Sequence, residues 1–293
     1  MILITTKSGK KGKTKVEFST FLTSHSLRNK LDLLSAEDHA IIFNERTEAL
    51  GGSPQFTATD IANYKANGGT DWQDEIFRSA LQTNYNIAVS GGGENTTYLF
   101  SLNHVDQDGI LINSDYKRYQ LRANLNLNVN ENVKVGLRLY GIREQINPQT
   151  FNSSIGSPVT DAMHFPATFQ SVYDDKGDYI QSSDPQLWNP VASALSLTNN
   201  KAINTFNANA FVEFKFTKNL KLKLSGGTSY LAENRYQFIS TDNRNAFAAG
   251  GVASIFNKES VGWINTNNLT YSKEINEDDN LTATLVYEQQ ELG

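Results

Sequence analysis

Four short stretches carry the residue types that chemistry needs. "GKT" at Gly12 to Thr14 has the closing letters of a phosphate-binding loop, whose backbone amides would cradle an anion. That motif requires a glycine where Lys7 stands, so a basic connector is the better reading. "GGG" at 91 to 93 is not flanked by a strand-to-helix switch. It therefore fits neither a dinucleotide fingerprint nor a nucleophile elbow, and a tight glycine turn explains it. "HVDQDG" at 104 to 109 has the rhythm of a calcium loop, but His104 replaces the first acidic ligand and the twelfth position lacks its Glu. The four histidines, His25, His39, His104 and His164, never pair at metal-ligand spacing. There are no cysteines, which removes disulfide frameworks and thiolate metal or redox sites. No pair of carboxylates is placed for glycoside hydrolysis. We therefore expect no enzyme, no metal and no cofactor.

What remains is binding chemistry. Arg118, Arg122 and Arg138 can hold carboxylates, and Trp72 and Trp188, in long polar stretches, can stack on sugars or anchor their own loops. The elements that position them follow from one segment, "YKRYQLRANLNLNVNENVKVGLRLYGIRE" (116 to 144). Successive side chains of a strand alternate between faces. One face holds Tyr119, Leu121, Ala123, Leu125, Leu127 and Val129, then, after a turn at Asn130 to Asn132, Val133, Val135, Leu137 and Leu139. The other holds Arg118, Gln120, Arg122, Asn124, Asn126 and Asn128, then Lys134, Gly136, Arg138 and Tyr140. Ordinary strands run to about 5 or 6 residues, whereas a tilted strand crossing a bilayer needs about 9 to 11. The hairpin fits the longer class, although β-sandwiches and lipocalin-like barrels also contain long alternating hairpins.

Along the chain the pattern recurs. Strands are expected at 14 to 23, 84 to 90, 96 to 106, 116 to 129, 133 to 144, 203 to 216, 220 to 233, 260 to 273 and 281 to 290. Helices are expected in "SAEDHAIIFNERTEAL" (35 to 50), where Ser35 and Asp38 mark a start, and in "TATDIANYKAN" and "DWQDEIFRSAL". The connections alternate: GGGEN, NEN, TKN and EINEDDN are brief, while of the others one, "QDGILINSD", is of medium length and the rest are long, including a helical excursion and a Pro-, Ser- and Asp-rich stretch to about residue 200. Brief turns at one end and elaborate loops at the other characterise outer-membrane barrels, and loops this long are uncommon in compact soluble domains. Roughly nine strands are too few to close around a lumen with such loops. Phe206, Phe214, Phe216, Tyr230, Trp263, Tyr271 and Tyr287, near strand ends or on the apolar beat, suit the aromatic girdles of such a barrel.

The bulk properties agree. The 293 residues carry a net charge of -5, with no basic footprint for nucleic acid. Mean hydropathy is -0.45 and no 18-residue apolar run exists, so no transmembrane helix is expected. A barrel with a wet lumen gives the same polar average. "MILITTKSGKKGK" places its basic cluster after a short apolar run, the reverse of a signal peptide.

Several stretches resemble one family closely. "ILITTKSGKKGK" (2 to 13), "TDWQDEIFR" (70 to 78), "NYNIAVSGGGENTTYLFSLNHVDQDGIL" (84 to 111) and "YKRYQLRANLN" (116 to 126) are similar to SusC/RagA-like TonB-dependent outer-membrane transporters. The resemblance is dense to about residue 145 and rests on strand and loop style beyond it. It implies an all-β fold, part of an antiparallel transmembrane β-barrel of twenty-two strands, with helical insertions in a long extracellular loop. Residues 1–12 would be the C-terminal end of the plug domain and 13–293 the N-terminal portion of the barrel. On that reading Arg118, Gln120, Arg122, Asn124, Asn126 and Arg138 face the lumen, and Leu121, Leu125, Leu127, Val135, Leu137 and Leu139 face membrane lipid. Trp72 and Trp188 would be loop aromatics for ligand or lid contact. The expected location is the bacterial outer membrane. The expected partners are a SusD-like surface lipoprotein, the TonB complex through segments missing here, and a glycan or peptide substrate, with no nucleic acid. The resemblance also implies that signal peptide, TonB-contacting segment and most of the plug lie outside the sequence, that Met1 stands where the family has Val, as if translation had been assigned to begin at an internal valine codon, and that "ELG" ends it before the terminal aromatic strand. The alternative is a soluble or secreted β-sandwich that binds glycans, whose apolar face would cover a dry core.

Overall fold

The computed structural model describes residues 9–149, 156–276 and 279–293. Most of the stretch expected to end the plug, residues 1–8, lies outside the described residues, as does Lys7. Nine strands form one sheet in the strict order β1 to β9. They are β1 Gly12–His25, β2 Ala80–Gly92, β3 Thr96–Asp108, β4 Asp115–Asn128, β5 Val133–Asn147, β6 Leu197–Lys215, β7 Leu220–Ile239, β8 Val252–Glu274 and β9 Asn280–Leu292. Every neighbouring pair is antiparallel. Lengths run from 13 residues in β2 to 23 in β8, well beyond the usual strand. "GKT" is simply the start of β1, and the "GGG" glycines close the β2–β3 hairpin, where Gly93 N–H donates to Thr96 O at 2.8 Å. The "HVDQDG" segment is the end of β3 and its turn. A second sheet, which a sandwich requires, is absent among the described residues.

The brief connections, at 93 to 95, 129 to 132, 216 to 219 and 275 to 279, all lie at one end of the sheet, because successive antiparallel strands reverse direction. At the other end are the connections 26 to 79, 109 to 114, 148 to 196 and 240 to 251. The first carries α1 Ala36–Ala49, α2 Ala58–Asn67 and α3 Trp72–Ile76. Ser35 caps α1 by accepting from Asp38 N–H, and Thr57 with Asp60 forms a full capping box on α2. The third connection carries α4 Pro158–His164 and α5 Pro190–Leu195, and the fourth carries α6 Arg244–Phe247. Several boundaries differ from the sequence reading, β2 beginning at Ala80 among them. The third helix stops at Ile76, because Phe77 bridges to Leu111 and the chain turns into β2. β6 begins at Leu197, and β7 and β8 extend toward each other, so the loop expected near 234 to 257 shrinks to 240–251.

The hydrophobic core is not under the sheet. Trp72, Ile76, Leu111, Ala162, Phe165 and Val191 form it, drawn from the long connections. These loops pack on each other rather than hanging as separate strings.

Candidate functional site

Register decides which residues share a face, since directly opposite residues point the same way. Leu121 pairs with Gly141, Ala123 with Leu139, Leu125 with Leu137 and Leu127 with Val135. Arg122 pairs with Tyr140, Asn124 with Arg138 and Asn126 with Gly136. The two sets fall on opposite faces, and the neighbouring strands continue them. The apolar face runs through Phe18, Ile87, Leu102, Leu121, Gly141, Phe206, Tyr230 and Val261 in a single cross-strand row. It also takes in Phe214, Trp263, Tyr271 and Tyr287, spaced along β6, β8 and β9. Asn265 and Asn267 interrupt it on β8, with their amides bonded to each other at 2.7 Å.

Exposure is the inverse of a soluble sheet. On the apolar face Leu102 is 55% exposed, Leu121 43% and Leu125 37%. On the polar face Asn124 is 5% exposed and Phe211 9%. Burial on the polar face comes from side chains that pack on one another. Arg118 donates to Asn103 Oδ1 at 3.1 Å and Asn126 to Thr97 Oγ1 at 3.4 Å. Gln120 stands opposite Asn103 in the same row. Gly136 leaves room for the Phe211 ring, which lies where a Cβ would stand, 2.1 Å from Phe211 Cε1. Two cations flank that ring, Arg138 Cζ at 5.3 Å and Lys223 Nζ at 4.6 Å from its centroid, while Arg122 stands 5.7 Å from the Tyr140 ring. Among the described residues, none of these three cations has a carboxylate at ion-pair distance. Phe211 and Lys223 were not singled out from the sequence, although an aromatic on the polar beat of β6 is a visible anomaly.

The two tryptophans divide. Trp72 is 2% exposed, packed edge-on against Phe165 with centroids 4.9 Å apart, and its indole N–H donates to Pro166 O at 3.0 Å. Its ring joins the first long loop to the third, the loop-anchoring role that the sequence also allows. Trp188 is half-buried, edge-on to Phe247, with its indole N–H bonded to Asp242 O. The same loops are stitched by Thr70 N–H to Ala167 O at 3.0 Å and by the Asn113 amide to Ala194 O and Leu197 O at 2.9 and 2.7 Å. Buried Asp161 accepts from Gly156 N–H at 2.9 Å and from the Ser193 hydroxyl, and burial pushes its carboxyl above the usual range. Among the described residues, no cluster of three His, Asp or Glu could hold a metal.

A single long-stranded antiparallel meander, sided connections and a bare apolar face define the class: part of an antiparallel transmembrane β-barrel. No helix of the described residues is long and apolar enough to cross a membrane. Within that class, the chain is similar to TonB-dependent receptors of the SusC type. It is 28% identical over 279 residues to TonB-dependent receptor P3 of Formosa agariphila, covering 93% of this chain and 26% of that one. It is 28% identical over 262 residues to TonB-dependent receptor SusC of Bacteroides thetaiotaomicron, covering 82% of this chain and 25% of that one. The chain thus spans about a quarter of the length of these relatives. Among solved structures, the RagAB peptide transporter matches 97% of this chain and 35% of its own with a TM-score of 0.76 at 20% identity, a likeness of fold. No family model matches.

Proposed function

We propose that this chain is a section of the wall of an outer-membrane transporter that imports nutrients, glycans or oligopeptides, with energy delivered by the TonB complex. The observation that carries the proposal is the inverted exposure: large apolar side chains are bare on one face while polar ones are packed on the other. Such a face is costly in water and suited to lipid. Leu121, Leu125, Leu127, Val135, Leu137 and Leu139 then face lipid, and Arg118, Gln120, Arg122, Asn124, Asn126 and Arg138 face the lumen. Residues 1–12 end the plug and 13–293 begin the barrel. The unpaired Arg122, Arg138 and Lys223 give the lumen a basic stretch able to hold carboxylates of a plug or of cargo. A SusD-like surface lipoprotein covers the long loops, whose exposed Leu31, Leu33 and Leu34 supply apolar surface for it. The role is transport, and no catalytic step is assigned.

The test is a pair of substitutions one residue apart, followed by folding into lipid vesicles. Leu125→Arg should lower stability by about 2 to 4 kcal/mol if the site lies near the bilayer midplane, while Asn126→Arg should be mild. Equal tolerance at both positions refutes the assignment of faces.

A further inference from the structure

We propose that the apolar face holds a seat for one acyl lipid with a net-anionic phosphate headgroup, of the leaflet nearest the long loops, its chain laid over Gly141 and its phosphate against Arg143. The inference rests on the membrane-wall reading and goes beyond it.

The seat is built from two adjacent cross-strand rows. In the upper row Tyr85, His104, Tyr119, Arg143 and Asn204 are consecutive partners across β2 to β6. The first three rings form one stacked plate, with centroids 6.4 and 4.5 Å apart and planes within 8° and 19°. One row beyond, toward the long loops, Lys117 pairs with Asp106 at 3.1 Å. One row back, the partners are Ile87, Leu102, Leu121, Gly141 and Phe206. Within three rows the surface passes from hydrocarbon-like to polar-tipped aromatic to ion-paired, which is how a wall meets the headgroup level of a bilayer.

Two features of this boundary do not belong to a plain aromatic girdle. Gly141 is a gap in the apolar row, and a Cβ there would touch only Phe206, at 3.9 Å. The gap opens into a groove of about 500 Å³ bounded by Leu102, Tyr119, Leu121 and Arg143, a size in the range of small-molecule sites. At its polar rim Arg143 is exposed, and its row neighbours Tyr119 and Asn204 are neutral. So are Gly141 and Gln145, the same-face residues before and after it on β5. The nearest acid in the adjoining row, Asp106, is committed to Lys117. A guanidinium with no carboxylate at ion-pair distance among the described residues, above an apolar groove, is complementary to an anionic amphiphile. Its planar fork suits phosphate oxygens, and its stem can lie along the chain below.

The test uses the protein in the full length that its gene encodes, extracted from membranes and given equal amounts of phosphatidylglycerol and phosphatidylcholine with identical acyl chains. Native mass spectrometry then counts retained lipid. Wild type should keep one phosphatidylglycerol in preference, by about tenfold or more, because its phosphate charge is left whole for Arg143 whereas that of phosphatidylcholine is offset by the choline cation. Arg143→Gln should reduce that retention to the phosphatidylcholine level, and Gly141→Leu should reduce both lipids alike. Arg143→Gln adds no bulk, so it carries the test if Gly141→Leu fails to fold. Equal retention of the two lipids by wild type, or an unchanged preference in Arg143→Gln, overturns the seat while leaving the wall in the membrane. Protein recovered in water without detergent overturns the wall reading as well.

Discussion

Gly136 and Phe211 are one unit of the polar face: the ring fills the space a side chain at 136 would need, and Arg138 and Lys223 close over it. An aromatic over a strand glycine restores cover where the glycine exposes backbone. Gly136→Ala forces the buried ring aside and should cost about 1 to 3 kcal/mol, a typical overpacking cost. Phe211→Ala should cost about 3 to 5 kcal/mol. In the double variant the added methyl has nothing to strike, so the two costs should fall short of their sum when unfolding is followed in detergent micelles. Strict additivity would separate the two residues. The glycine could be read in the sequence only as an interruption of the polar beat, since the ring that explains it arrives from β6, 75 positions later.

On the scale of elements, α1 is fastened through His39, which stacks on Phe43 of the same helix at 5.9 Å and meets Phe56, beyond the helix, edge-on at 6.3 Å. Its Nδ1 is buried without a hydrogen-bond partner among the described residues, and burial holds the imidazole below the ordinary histidine range. The unfolded loop therefore binds more protons than the folded one below about pH 6.5. The contribution of this contact is complete above that pH and is lost as the pH falls through it toward the folded value. Amide exchange in Ala36–Ala49, corrected for its intrinsic rate, should accelerate on acidification relative to the central strands, and His39→Leu should abolish the difference. A profile unchanged by that substitution would assign the effect to another group. The helix itself was legible, because Ser35 and Asp38 spell its start. The first six residues of β6, "LTNNKA", were not: they lack an apolar beat and are held as strand by pairing with Asn234 to Ile239 of β7. The Tyr85, His104, Tyr119, Arg143 row is drawn from four strands. No window of sequence contains it, and only the register brings it together.

For the whole molecule, the loops own the compact core and the sheet owns the bare apolar face. Ordered β-structure by circular dichroism should therefore require micelles, and sedimentation in plain buffer should show aggregates. A cooperative monomer in buffer would mean that the apolar side chains find protein cover, and the membrane assignment would fall. The alternation of long and short connections was the most readable whole-molecule signal, because turn chemistry and loop length are local. The docking of the loops through Trp72 and Phe165 was hidden, since exposed and buried tryptophans look alike in sequence. The strict order β1 to β9 also bears on how such a wall could change during descent. Each strand pairs only with its chain neighbours, so a hairpin can be duplicated or lost and the flanking strands still meet antiparallel. Gain or loss of a single strand would reverse every strand beyond it and send the long connections to the wrong side. Inheritance along this wall is therefore quantised in pairs, and lineages should differ by whole hairpins while loop length drifts freely.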